Sequence, residues 1–486
     1  MEKSKKRNLI IFFIIICVFL LIFLIPTIFL SPLGKKLLIS SLEKKTHGTV
    51  QIQKVSFSWL GPQVIEKLHL SSPLLELSIE KFSADISIFS LPKLRFLNYQ
   101  HLLSLDSNIT ISDLGCSFHP PHMSPIIFAN VNLHLKADKT PELHITGKTF
   151  EKIQEGSFTI HLMKKPPQNF DGEINCNHLP VIGLDKLLSL FSNQRPGALT
   201  ALLGESLNFR GSFSFNNNQG PFSFYLDSSH AKALCNAYLD QSLLYLNKPF
   251  SASFYLTPDL TKWLSKKHPF FSSIMQSKTP INLWIDPKHF TIPLHQPTLK
   301  KFSIPNATVD LGILEFHQSR NIDSTLQSLP GLFHQNSIST IWFTPVDLSI
   351  TDGQLKSDRM DFLINNSLHL CTWGKADLIT KYVDMILGLP ADALEKVLQI
   401  QNLPQNYVMQ IPLRGTWPKI KLDKSMVATK LAALIAANQA HGAVGGILGV
   451  ISTLNEKPAP PARRPFPWES GMPVPQAPQI FDFFSK

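Results

Sequence analysis

From residue 49 to residue 413 the chain keeps returning to one pattern: apolar residues at every second position, in short stretches set apart by turn residues. Val50 and Ile52 alternate with Thr49 and Gln51, and Val55, Phe57 and Trp59 with Ser56 and Ser58. Leu75, Leu77 and Ile79 follow, then Phe82, Ala84, Ile86 and Ile88. Alternate side chains share one face of a strand, so each stretch predicts a strand with an apolar and a wet face. Val131, Leu133 and Leu135 repeat the pattern, as do Phe158, Ile160 and Leu162. So do Phe250 to Leu256, Ile281 to Ile285, Val309 to Ile313, Val346 to Ile350 and Tyr407 to Leu413.

The clearest hairpin lies over 209–226. Phe209, Gly211, Phe213 and Phe215 share a face, residues 216–220 turn, and Phe222, Phe224 and Leu226 return. Asp352-Gly353 and Asn365-Asn366 are further turn signals. Helical spacing is rarer. It predicts an amphipathic helix over 33–46 and short helices over 184–191, 260–264 and 391–400. A longer helix follows over 424–440, where alanine supplies propensity. The fold class is therefore mainly β, antiparallel, with a few short helices and a C-terminal helix. The apolar faces could line an open groove or close on each other as a sandwich, and periodicity does not separate the two.

One stretch breaks the pattern. Residues 9–30 carry no charge and, at about 1.5 Å per residue, span the roughly 30 Å of a bilayer's hydrocarbon layer. The run is longer than a secretory signal's apolar core and no A-x-A-like site follows it, so it reads as an uncleaved anchor. Lys3, Lys5, Lys6 and Arg7 cluster before it, and Lys35, Lys36, Lys44 and Lys45 lie after it. The tighter N-terminal cluster favours a cytoplasmic N-terminus with the remaining chain outside. Residues 442–451 are apolar but too short to span, and 456–486 are rich in proline. The expected organisation is a basic tail (1–8), the anchor (9–30), two β-rich regions (31–200 and 201–422), a helix with a Gly-rich apolar segment (423–455), and a Pro-rich disordered tail (456–486).

Composition narrows the function. The chain of 486 residues is 44% hydrophobic and only 17% charged, with 34 Phe and 36 Pro. Its net charge of +11 is dispersed, without an Arg-rich stretch or zinc-finger spacing. Contact with anionic lipid heads therefore fits better than nucleic acid, which is not expected as a partner. No phosphate loop, GxSxG or HExxH occurs, so no catalytic residue and no cofactor is assigned. Cys116, His119 and His122 have a metal-like spacing, but Pro120 and Pro121 make the stretch a loop and a fourth ligand is missing. No metal is assigned. His369 and Cys371 share a strand face, where a plain pair of sheet residues is the simpler reading. The four cysteines beyond the anchor could form disulfides in an oxidising compartment or serve as small apolar residues.

Behind the anchor and short helix, 48–59 (GTVQIQKVSFSW) resembles the opening strand pair of the AsmA-like family of bacterial envelope proteins. Near the C-terminus, Leu370 to Gly374, the Asp377-Leu378 step and 411–418 (IPLRGTWP), followed by Asp423, resemble its closing pattern, with Pro418 earlier than usual. The middle matches in texture only. The resemblance implies an inner-membrane, single-pass, periplasmic protein built as an elongated, curved antiparallel sheet with a greasy groove. It implies a non-enzymatic role in phospholipid transport or outer-membrane homeostasis. On this expectation Phe209, Phe213, Phe215, Phe222, Phe224 and Leu226 line part of the groove. The alternatives are an assembly factor for outer-membrane proteins, docking an envelope partner through the Pro-rich tail with Phe466, Trp468 and Phe481 to Phe484, and last an anchored hydrolase.

Overall fold

A computed structural model describes residues 32–58, 61–73, 75–85, 107–119, 125–137, 140–151, 154–165, 169–191, 197–266, 269–295, 298–317, 338–401, 403–417, 419–439 and 456–469. The expected anchor, the Gly-rich segment, Cys17 and His122 lie outside these residues. No described helix is long and apolar enough to cross a membrane. The described chain is mainly β, and its strand pairings are antiparallel. It divides into two units, 1–194 with 205–217 and 195–204 with 218–486.

The first unit opens with helix α1 (Pro32–Thr46), then strands β1 (Thr49–Ser56), β2 (Gln63–Ser71), β3 (Leu75–Ala84) and β4 (Ser107–Phe118). β5 (Ile126–Ala137), β6 (Glu142–Glu151), β7 (Gln154–Lys165), β8 (Asn169–Pro180), helix α2 (Val181–Phe191) and β9 (Ser206–Asn216) complete it. Each strand pairs with the next, so β1 to β9 form a simple meander. α1 lays Leu38, Ile39 and Leu42 on Val50, Ile52 and Leu70. It ends at His47, which takes a left-handed φ of 51°, and Gly48, where an added Cβ would strike the Ser71 carbonyl.

The second unit begins with helix α3 (Ala198–Leu203), which the apolar spacing did not predict. β10 (Gln219–Ser228), β11 (Ala231–Asp240), β12 (Leu243–Leu246), β13 (Phe250–Phe254) and helix α4 (Pro258–Ser265) follow. Next come β14 (Ile274–Ser277), β15 (Ile281–Ile285), β16 (Ile292–Pro293), β17 (Ser303–Asp310), β18 (Ile313–His317), β19 (Ile338–Phe343) and β20 (Val346–Thr351). The last elements are β21 (Gln354–Ile364), β22 (Leu368–Asp377), β23 (Tyr382–Pro390), helix α5 (Ala391–Leu398), β24 (Val408–Thr416), β25 (Lys419–Leu422) and helix α6 (Lys424–Gln439). The predicted turns recur as paired left-handed residues: Asn217 and Asn218, Asp352 and Gly353, Asn365 and Asn366.

The tightest core is in this unit. Leu370, Leu394, Ile400, Met409, Ile411 and Leu434, from β22, β24, α5, α6 and the α5–β24 connection, are at most 1% exposed. Asp423 caps α6 by accepting the Met426 N–H at 3.0 Å. Residues 456–469, expected to open a disordered tail, lie instead against β21, β22 and β24, through contacts described below. The reason is chemical: the segment carries two aromatic rings and main-chain carbonyls that find donors on the sheet.

Candidate functional site

The register of the first unit aligns its apolar positions across strands. Val55 pairs with Ile65, Ile65 with Phe82, Phe82 with Ile111 and Ile111 with Leu133. Leu133 pairs with Ile145, and the row continues through Ile160 and Ile174 to Gly211. Nine strands about 4.8 Å apart make this row roughly 40 Å long. A second row beside it runs Ala84, Ile109, Leu135, Leu143, Leu162, Gly172 and Phe213.

The apolar residues of the first row are half-buried, neither enclosed nor fully bare. α1 covers the β1–β2 end, and α2 starts with fully buried Val181 and passes Ile126 at Gly183. Between them, among the described residues, no helix and no second sheet is packed on the rows of β4 to β7. Among the described residues the rows therefore form one sheet face whose apolar side chains keep part of their surface accessible.

Glycines shape its floor. Gly172 faces Phe213 across the ladder, and the phenyl ring lies so close over it that no Cβ would fit. Gly147 faces Phe158 in the same way, and Phe158 meets Phe128 edge to face at 6.2 Å. Phe213 and Phe215 stack at 5.2 Å. Rings laid over glycine broaden the apolar surface while keeping the strands paired.

In several strands neighbouring apolar positions are three residues apart: Ile65 to Leu68, Ile111 to Leu114, Phe128 to Val131 and Cys176 to Leu179. Lys67, Asp113, Asn130 and His178 absorb the extra residue with φ near +50°. At Lys67 the partners on both sides stay in register, whereas at Asp113, Asn130 and His178 the ladder register shifts, as at bulges that bend a strand and re-aim its side chains. Asparagines secure two of them: Asn132 accepts the Asp113 N–H at 3.0 Å, and Asn208 accepts the His178 N–H at 2.8 Å. A cavity of about 360 Å³ lies along this line, bordered by Lys67, His69, Glu80, Asp113 and Asn130.

The opposite face is wet. Thr110, His134, His144, His161, Glu173 and Ser212 stand in one cross-strand row. His161 Nε2 is 2.8 Å from Glu142 Oε1, and Thr110 Oγ1 is 3.2 Å from His134 Nδ1. Among the described residues no group of three His, Cys, Asp or Glu is arranged to hold a metal ion.

The phenyl set predicted over 209–226 is divided between the units. Phe209, Phe213 and Phe215 lie on β9, with Phe213 in the second apolar row. Phe222 and Phe224 lie on β10 and pack toward Cys235, Ala237, Leu246 and Phe290, and Leu226 is half-buried on the same strand. Sequence reasoning did not single out Leu133, Ile145, Ile160 and Ile174 as lining. The alternation around Leu133 and Ile160 was read, the strands of Ile145 and Ile174 were not, and the register that aligns all four was not visible.

The second unit holds a buried polar cluster. Asp361 is fully buried on β21, and Arg359 grips it with Nε at 3.0 Å from Oδ2 and Nη2 at 2.7 Å from Oδ1. His369 Nε2 lies 2.9 Å from Asp361 Oδ1, and its Nδ1 lies 2.8 Å from Asp392 Oδ2 at the start of α5. Burial disfavours the His369 charge, but the two carboxylates outweigh it and hold the imidazole above its ordinary value. Burial likewise works against the Asp392 carboxylate, and His369 more than offsets it, holding the carboxyl low. Cys371, two residues along β22, is a free thiol that burial pushes up to about 12, so it is not a thiolate at neutral pH. Cys116, Cys176 and Cys235 are also free thiols, and His119 bonds Ser117 at 3.1 Å.

No family model, curated protein or solved structure matches this chain. The arrangement of its own residues is therefore what carries a functional reading.

Proposed function

We propose that the open apolar face of β1 to β9 takes up acyl chains, making this a non-enzymatic, membrane-anchored lipid-handling protein. The observation that carries the reading is the row from Val55 to Ile174, apolar in eight successive strands and half-buried among the described residues. Each methylene that such a face shields from water contributes about 0.8 kcal/mol. The row, at roughly 40 Å, is long enough to accommodate an extended acyl chain. The expected anchor would hold the α1 end of the meander at a membrane surface. The resemblance to AsmA-like proteins points the same way, to phospholipid as cargo and to the periplasmic side of an inner membrane.

The test uses the full chain purified in mild detergent. Lipid is expected to co-purify, detected by mass spectrometry, and a fluorescent phospholipid is expected to load. Ile145→Glu with Ile160→Glu should abolish both while the protein still melts cooperatively. Undiminished loading by that variant would sink the proposal.

A further inference from the structure

Residues 456–469 form no strand or helix, yet they are held at many points. Arg359 Nη1 donates to the Pro460 carbonyl at 3.0 Å. The Gln410 backbone N–H donates to Glu456 Oε1 at 3.1 Å, and the Gln410 side-chain amide donates to the Lys457 carbonyl. Lys430 pairs with the Glu456 carboxylate, and Arg463 lies 3.5 Å from Asp347. Phe466 is 3% exposed and stacks on Trp468 at 4.9 Å. The His369 ring meets Phe466 at 4.9 Å and Trp468 at 5.5 Å, edge to face with both.

We propose that this face of β21, β22 and β24 is a binding site for an extended proline-rich peptide bearing two aromatic anchors, which the chain fills with its own residues 456–469. Three observations support a site over a piece of core. The segment is held through its main-chain carbonyls and its own two rings, and not by strand or helix pairing. Pro458, Pro460, Pro461, Pro465 and Pro467 pre-set its backbone and reduce the entropy lost on docking.

The third observation is that the charged centre of the bed is held together by its own residues. Arg359 neutralises Asp361, and Asp361 and Asp392 flank both nitrogens of His369. Thr344 receives the Asp361 N–H at 2.9 Å. Lys430 also donates to the Gln410 carbonyl at 2.7 Å. Departure of the segment leaves the Arg359, Asp361, His369 and Asp392 network intact, while Lys430 loses Glu456 and keeps the Gln410 carbonyl, so a replacing peptide would bring a carboxylate for Lys430.

The test is direct. A labelled synthetic peptide of residues 456–469 is titrated into the full-length chain and into the full-length variant Phe466→Ala with Trp468→Ala, read by fluorescence anisotropy. The variant, its own segment loosened, is expected to bind the peptide at least tenfold tighter than the unmodified chain. Adding His369→Ala to the variant should weaken binding again by about tenfold. Equal binding by chain and variant, or none by a variant that melts normally, overturns the proposal. So does loss of the cooperative fold in the double variant, because the segment would then be core and not ligand.

Discussion

The two units treat apolar residues in opposite ways. In the second, Leu370, Leu394, Met409 and Ile411 are sealed between a sheet and the helices α5 and α6. In the first, Leu133, Ile145, Ile160 and Ile174 have the same chemistry and alternation, yet stay half-buried because no described helix lies over them. A row of leucines and isoleucines is therefore not a core by itself. What lies above the row decides whether it stabilises the fold or remains for a guest.

Five substitutions press on that contrast. The largest effect is expected at Asp361, whose removal as Asp361→Ala leaves Arg359 buried without its partner. A loss of about 3–5 kcal/mol is expected from denaturant unfolding. A loss below about 1 kcal/mol would mean that water reaches the cluster. Next, Leu394→Ala in the sealed core should cost about 2–5 kcal/mol, and Ile160→Ala on the open face only about 1. Equal costs would erase the distinction between the units.

Gly172→Val displaces the Phe213 ring. On an open face the ring swings outward, so a stability loss near 1 kcal/mol with reduced lipid loading is expected. A loss above about 3 kcal/mol would show the ring to be boxed in. The smallest effect concerns pH. The His369 contribution is full below its ordinary value of 6.5 and is lost as pH rises through its raised folded value. The Asp392 contribution is present above 3.8, its ordinary value, and is lost as pH falls through its lowered folded value. The melting temperature of the second unit should therefore sag on both sides of that window. His369→Gln should flatten the alkaline arm, and an unchanged arm would assign it to another group.

Much of the fold was legible in the alternation. Stretches such as 158–162, 281–285 and 346–350 fall inside strands, and the helices over 258–265, 391–398 and 424–439 lie close to their expected places. Strand Ser107–Phe118 was missed because Asp113 interrupts its period between Ile111 and Leu114. Ala198–Leu203 was missed because six residues show too little of a helical repeat. The site was harder to see. Alternation tells which residues of one strand share a face, but only pairing tells that Ile111, Leu133 and Ile145 form one line. The contact between Arg359 and Pro460 joins positions 101 residues apart, which no local pattern encodes.

The left-handed residues at Lys67, Asp113, Asn130 and His178 bear on how such a meander can change length. β3 and β4 carry their extra residues, Glu80 and Asp113, at the same level, so their partners stay matched on either side. A lone deletion of Asp113 would leave the faces of β4 in order but slide everything after it one step against both neighbours. Insertions and deletions are then tolerated in matched pairs, strand beside strand, in the way that two zipped tapes must gain or lose a tooth together. Lengthening by whole hairpins avoids the problem, because a hairpin brings its own partner with it.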